Sequence, residues 1–321
     1  MASGTVISRD DVLAARATIG DRVHRTPTFG SRTLSEEIGA PAFFKAELFQ
    51  RTGSFKPRGV LNKLAALTPK ERARGVITWS AGNHAQAVAH AAALGGLDCL
   101  VIMSSGANPL KIAATRAYGA EVDLEATAHA EAYDRLVELI EQTGRTFVHP
   151  FDDPLVIAGQ GTVGLEIAED VPDVSLAVVP VGGGGLISGI ATALDCRVIG
   201  VEPAGSTALS SALAAGEVVH VESQTIADGL APPFAGELCL AVCRERLEDL
   251  VLVTEAEIGR AMRFLYQRAK LASEPAGAAA TAALLAGKVA VGAGDTVVAV
   301  VSGGNVDPKV AAAILAFPDE A

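Results

Sequence analysis

At 321 residues the chain has room for two domains, or for one large domain with an inserted lobe. Half of the residues are hydrophobic, only 4% are aromatic and 33 are glycine, a composition that suits helices packed closely on sheets and excludes a disordered chain. The formal charge of −11 excludes a nucleic-acid surface, which needs concentrated Lys and Arg, so any anionic ligand must be held by local donors.

The first residues, "MASGTVISRDD", have neither a basic start nor an apolar core of signal-peptide length, and no apolar run elsewhere is long and unbroken enough to span a bilayer. A cytoplasmic protein without membrane contact is expected.

The first informative stretch is "RTGSFKPRGVLNKL" (51–64). A lone lysine on a helix is ordinarily solvated surface. Pro57 changes this reading, because proline is favoured at the first helical position and so places Lys56 at the positive end of a helix. That potential, with partial burial beside Phe55, disfavours an ammonium and lowers the pKa, and a lysine made neutral in this way is a Schiff-base nucleophile.

Four β-rich apolar runs each meet a glycine-rich or polar turn and then a helix-like segment: "GVITW" (75–79), "DCLVIM" (98–103), "LAVVPV" (176–181) and "TVVAVV" (296–301). They are too continuously apolar for strands with one wet face, which predicts parallel sheets covered on both sides in a doubly wound α/β architecture. Ligands on such sheets bind in the loops beyond the carboxyl ends of the strands.

After the first run comes "SAGNHAQAVAHAAAL". Ser80, Gly82 and Asn83 form a tight turn before a strong helix former, and the free N–H groups of that helix start can hold a carboxylate or a ring oxygen. A simple N-cap is the other reading. "HPFDDP" (149–154), with two prolines and paired acids, marks a crossing between lobes.

In "PVGGGGLISGIATAL", Gly182, Gly183, Gly184 and Gly185 follow a buried strand and precede a helix, so their N–H groups can surround a phosphate. No Gly-Lys-Ser/Thr follows, so this is not a P-loop, and the one acid at dinucleotide-fingerprint distance is Glu202. A monophosphate cofactor is the favoured reading. Among the four cysteines, Cys239 and Cys243 are one helical turn apart with no nearby His to complete a metal site, and packed thiols are expected. The last run ends in "SGGN" (302–305), where the Ser302 hydroxyl is a neutral hydrogen-bond partner for a ring nitrogen, or part of a turn only. A reactive lysine, a phosphate cup, a carboxylate-binding helix start and a ring-nitrogen partner together describe a pyridoxal phosphate site.

"GSFKPRG", "SAGNHAQ", "VIAGQGT" (156–162), "VGGGGL", "TIADG" (225–229), "SEPAG" (273–277) and "SGGN" resemble, in this order, the threonine/serine dehydratase and serine racemase group of fold-type-II pyridoxal phosphate enzymes, across nearly the whole chain. The resemblance implies a tryptophan synthase β-like fold with a large domain (1–73 and 150–321) and a small mobile domain (74–149) that closes the cleft. It implies that Lys56 holds the cofactor aldehyde and later takes the substrate's α-proton, and that Phe55 packs on the cofactor ring. Asn83 would bond the ring 3-hydroxyl, Gly182 to Leu186 would hold the phosphate and Ser302 would face the ring nitrogen. Ser80, Ala81, Gly82, Asn83 and His84 would clamp the substrate carboxylate. Glu274 of "SEPAG" is expected near the ring, with a buried structural acid as its rival reading, and a homodimer is the family habit.

Two departures refine this expectation. Serine racemases carry a serine immediately before the Gly-Asn-His triplet; here Ala81 stands there and cannot donate a proton, so elimination survives and racemisation should be poor. Several relatives bind a divalent cation with a Glu joined by a second acid; Glu202 is present but Ala208 stands where that acid would be, which argues against a metal. The chain ends soon after "SGGN", so no regulatory domain and no end-product inhibition by isoleucine are expected.

The expected reaction is β-elimination from L-threonine or L-serine, giving a 2-oxo acid and ammonia. β-Substituted relatives such as hydroxyaspartate or phenylserine, racemisation, and a β-replacement synthase remain as alternatives, as do a non-catalytic sensor and a nicotinamide-dependent enzyme. "APPFAGEL" (231–238), stiff and poor in polar groups, is where an unusual substrate pocket or a merely structural loop would sit.

Overall fold

The computed structural model describes residues 7–127 and 129–317; the terminal stretches on which the leader and regulatory-domain expectations rest lie partly outside them. Among the described residues ten strands form two sheets. In chain order they are β1 (Thr28–Gly30), β2 (Ala42–Ala46), β3 (Val76–Trp79), β4 (Cys99–Ile102), β5 (Glu121–Asp123), β6 (Thr146–Phe147), β7 (Leu176–Pro180), β8 (Arg197–Pro203), β9 (Asp249–Val253) and β10 (Val297–Val301). The six-stranded sheet runs β1-β2-β10-β7-β8-β9 and the four-stranded sheet runs β5-β4-β3-β6.

All four predicted strands are present, as β3, β4, β7 and β10. Their continuous apolarity has the expected cause: Leu176 and Val178 enter one hydrophobic core while Ala177 and Val179 enter another on the opposite face. In the smaller sheet Val76 and Val101 face one core, and Ile77, Leu100 and Ile102 face another. The four predicted strands pair in parallel as expected, and pairing is parallel throughout except at the edge, where β1 meets β2 antiparallel.

The helix Pro154–Asp170 is a central spine beside the six-stranded sheet, its Val163 and Ile167 sharing a core with Ala177 and Val179, and it is capped at its start by the Asp153 carboxylate. Its glycines are there for close approach. A Cβ on Gly189 of the helix Gly185–Ala193 would lie 2.4 Å from the backbone nitrogen of Gly161, so only glycine lets the two helices pass at this distance. Within "HPFDDP", residues 149–153 lie in neither helix nor strand, linking β6 to this spine as the two prolines suggested. Cys239 and Cys243 sit on the helix Glu237–Arg246, buried as packed thiols.

Candidate active site

Lys56 is brought into position by three loops knitted edge to edge. Phe55 N–H donates to the Ser302 carbonyl (3.2 Å), Gly304 N–H to Gly53 (2.9 Å) and Glu274 N–H to Gly303 (3.1 Å), so "GSFK", "SGGN" and "SEPAG" share one backbone network. Lys56 caps the helix Pro57–Ala65 with Pro57 at the first helical position, as read from the sequence. Its amine lies 5.1 Å from the Phe55 ring centroid and donates to the Pro150 carbonyl at 2.8 Å. Burial lowers its pKa to about 8, so a minor but usable neutral fraction exists at neutral pH, far more than for an exposed lysine.

Beneath this turn Arg58 is fully buried and uses every N–H of its guanidinium. It pairs bidentately with Glu47 (2.8 and 2.8 Å) and with Glu166 (2.7 and 2.9 Å), and Lys45 donates to Glu166 at 2.6 Å. Two cations and two carboxylates thus neutralise one another under the helix that carries Lys56.

The amine opens on a cavity of about 250 Å³ whose wall contains Phe55, every residue from Ser80 to His84, every residue from Gly182 to Leu186, Glu274 and Ser302. The structure thus brings together all the predicted site residues except Glu202. That carboxylate is buried outside the cavity and accepts the N–H groups of Leu209 (2.7 Å) and Ser210 (3.0 Å), so it caps the helix Ala208–Ala215. Burial raises its pKa to about 6. Among the described residues no group of three His, Cys, Asp or Glu side chains is placed to hold a metal.

The helix Asn83–Gly95 begins at Gly82, which has no side chain to cap it, while the Gly82 N–H itself donates to Ser80 Oγ at 3.2 Å, so the reading of "SAGN" as a simple side-chain cap gives way to an uncapped helix start whose residues line the cavity. Asn83 is held from both ends: its Nδ2 donates to Glu274 at 2.6 Å and its Oδ1 accepts from Asn305 at 2.8 Å. Glu274 is therefore a buried acid inside the site network, both of the readings made for it at once. Burial, with Asp228 nearby, raises its pKa to about 7. The His84 ring is turned to the Val148 carbonyl (2.9 Å), and burial beside Lys56 keeps it neutral.

In the glycine loop, Gly184 has φ +98° and a Cβ on Gly183 would lie 2.4 Å from the Phe151 ring. A side chain has no place there, which leaves bare backbone N–H groups at the start of the helix Gly185–Ala193, a donor set that fits a phosphate. With an amine for an aldehyde, a hydroxyl at Ser302 and a fixed amide at Asn83, the residues fit pyridoxal phosphate.

Sequence reasoning missed Trp79, Lys111, Pro150, Phe151, Gln160 and Asp228, which also line the cavity. Gln160 and Asp228 lay inside stretches noted only as signatures, and Pro150 and Phe151 inside one read as a boundary. Lys111 carried no local signal; it reaches the wall by pairing with Asp228. Pro232 and Pro233 of "APPFAGEL" form part of the wall, while Phe234 packs on Phe151 and His220.

An open α/β sheet with a buried, partly neutral lysine facing a glycine phosphate cradle at its carboxyl edge defines an enzyme that works through a phosphorylated carbonyl cofactor. Residues 19–303 match the family described as pyridoxal-phosphate dependent enzyme, and the chain belongs to that family. It is 45% identical over 308 residues to the L-threonine ammonia-lyase of Thermotoga maritima, covering 94% of this chain and 76% of that one. It is 42% identical over 320 residues to the catabolic L-threonine dehydratase of Escherichia coli, covering 98% and 97%. Among solved structures, maize serine racemase superposes with a TM-score of 0.91 at 36% identity, covering 95% of each chain.

Proposed function

We propose that this protein is a threonine dehydratase that eliminates water from L-threonine, and from L-serine, to release an enamine, which takes up water again on hydrolysis to give a 2-oxo acid and ammonia. The observation that carries this reading is the identity of 45% and 42%, over nearly the whole chain, to two enzymes named for L-threonine, joined to a complete set of cofactor-holding residues around Lys56.

Bound pyridoxal phosphate supplies an electron sink for the pair left at the substrate's α-carbon. Lys56 would anchor its aldehyde and would serve as the base for the substrate's α-proton; its lowered pKa leaves the amine partly neutral and able to accept one. The N–H groups from Gly182 to Leu186 would hold the cofactor's phosphate, Phe55 would pack on its ring, Ser302 would meet the ring nitrogen without a charge, and Asn83, fixed by Glu274 and Asn305, would offer its amide to the 3-hydroxyl. The substrate carboxylate is taken by the helix start from Ser80 to His84. We further assign 74–149, which carries the four-stranded sheet, to a small domain that closes over the cleft, with 1–73 and 150–321 as the large domain, and read the protein as a cytoplasmic homodimer. Among the described residues no helix is long and apolar enough to cross a membrane.

The purified protein, with pyridoxal phosphate, should release ammonia and 2-oxo acid in equal amounts from L-threonine. A cofactor absorbance band without ammonia from either amino acid would overturn the dehydratase reading.

Likeness to a serine racemase does not extend to the second face of the substrate. Ala81 lines the cavity and, at the position where the resemblance puts a racemase serine, has no hydroxyl to return a proton, so wild type should racemise L-serine slowly. Ala81→Ser is expected to raise the appearance of D-serine by at least about tenfold, the low end of what a positioned proton donor contributes. Chiral chromatography of the residual serine checks this.

A further inference from the structure

The segment 148–153 has no helix or strand of its own, yet its residues hold much of the site. The Val148 carbonyl accepts from Thr78 Oγ1 and His84 Nε2, both at 2.9 Å. The Pro150 carbonyl accepts from the Lys56 amine at 2.8 Å. Phe151 backs Gly183 so closely that no Cβ fits between them. Asp152 accepts the N–H groups of Glu237, Leu238 and Cys239 at 3.0, 3.0 and 3.3 Å. Asp153 pairs at 2.6 Å with Lys63, on the same helix that Lys56 caps.

One side chain sets the path of this segment. His149 Nδ1 accepts backbone N–H groups from Phe151 (3.2 Å) and Asp152 (2.8 Å), the pattern by which Asn and Asp side chains fold a turn two and three residues ahead. The imidazole is gripped edge-on by Phe147 and Phe151, with centroids 5.4 and 4.6 Å away. Burial lowers its pKa to about 4, with Asp152 and Asp153 opposing the shift and Lys56 adding to it. An imidazole that accepts at Nδ1 must be neutral with its proton on Nε2. The Pro150 carbonyl and the Phe151 N–H belong to one planar peptide unit, so the hydrogen bond that holds this N–H on Nδ1 also fixes the direction in which the carbonyl points.

We propose that His149 is a positioning residue for the reaction: by accepting the Phe151 and Asp152 N–H groups, Nδ1 aims the Pro150 carbonyl at Lys56 and so fixes where the free lysine amine stands. This rests on the role given to Lys56 above. An amine held by one carbonyl is presented to an incoming aldehyde and to the α-proton in one orientation. An unguided amine on a four-carbon stem spends most of its time elsewhere.

Two substitutions separate the nitrogen from the ring. His149→Phe keeps the aromatic edge contacts and deletes the acceptor; His149→Asn deletes the ring and restores an acceptor at turn distance. The full chain, stripped of cofactor, is mixed with pyridoxal phosphate and capture is followed by absorbance. The reloaded enzymes are then assayed for kcat and KM separately. His149→Phe should capture about ten- to a hundredfold more slowly and lose kcat by a similar factor with KM nearly unchanged, as expected for misplacement by about 1 Å. His149→Asn should stay within about threefold of wild type on both readouts.

The proposal is overturned if both variants behave as wild type, if both are slowed equally, or if the asparagine variant is the slower one. Failure of the phenylalanine variant to fold would also overturn it, since the nitrogen would then serve the fold. Wild type that captures no cofactor would instead sink the role of Lys56. Wild type that captures it but releases no ammonia would sink the dehydratase reading and leave the capture comparison intact.

Discussion

Lys56→Ala is expected to abolish ammonia release from L-threonine, a loss of at least about a thousandfold, because both the covalent anchor and the general base are deleted at once. The absorbance of the lysine-bound cofactor should vanish with it. The substitution deletes the amine and the stem beyond Cβ but leaves the backbone of the turn, which is held by Phe55, Gly53 and Glu274 through bonds that do not involve that side chain, so the thermal midpoint should stay close to wild type. The pH dependence gives an independent check. Cofactor capture needs the neutral amine, and burial has brought the pKa down from 10.5 to about 8. Capture by wild type should therefore accelerate as pH rises and level off above a midpoint near 8, where an exposed lysine would still be accelerating. A midpoint near 10 would mean that the amine is solvated and that burial is not what makes it reactive.

How much of this was legible in the sequence follows from the range of each signal. β3, β4, β7 and β10 could be read because strands covered on both faces are apolar at every position, a property local to four or five residues. β2 ("AFFKA") could not, since Lys45 breaks the apolar run; its charge is buried against Glu166, which lies 121 residues away. The glycine loop and Lys56 were readable because glycine repetition and Lys-Pro are local chemistry. Lys111 and Asp228 meet across 117 residues on different elements, and no spacing announces such a pair. Glu202 was ambiguous in the sequence, where Ala208 already argued against its serving a metal. An acid after a strand suggested a ligand, but the same placement suits a carboxylate that caps the next helix, and only the positions of Leu209 and Ser210 decide between them. The role of "HPFDDP" was hidden for a related reason: prolines and acids read as a break in regular structure, which is true, while the carbonyl that meets Lys56 has no side-chain signature.

Arg58→Met should be the most destabilising single change near the site, at about 3–5 kcal/mol, the cost of stranding buried partners of a removed charge. Arg58 is 0% exposed, as is Glu47, and every guanidinium N–H is used, so no water is at hand to replace it. Burial alone would raise the Glu47 pKa, and Arg58 is the main reason that it lies below the ordinary carboxylate value. In the methionine variant Glu47 loses that partner and must either take a proton or drag in water, and the thermal midpoint should fall by roughly 6–10 °C. The charge count supplies the control. Lys45 and Glu166 remain a pair at 2.6 Å when Arg58 and Glu47 are neutralised together, so Arg58→Met/Glu47→Gln should be more stable than Arg58→Met alone, although it carries one more substitution. If the double variant is the weaker of the two, the loss in the single variant comes from packing and not from a stranded charge. The helix Pro57–Ala65 begins beside Arg58, so the cluster that costs desolvation energy also fixes the turn from which Lys56 projects. An apolar replacement of the double pair that restores stability should therefore restore it without restoring the full rate of cofactor capture.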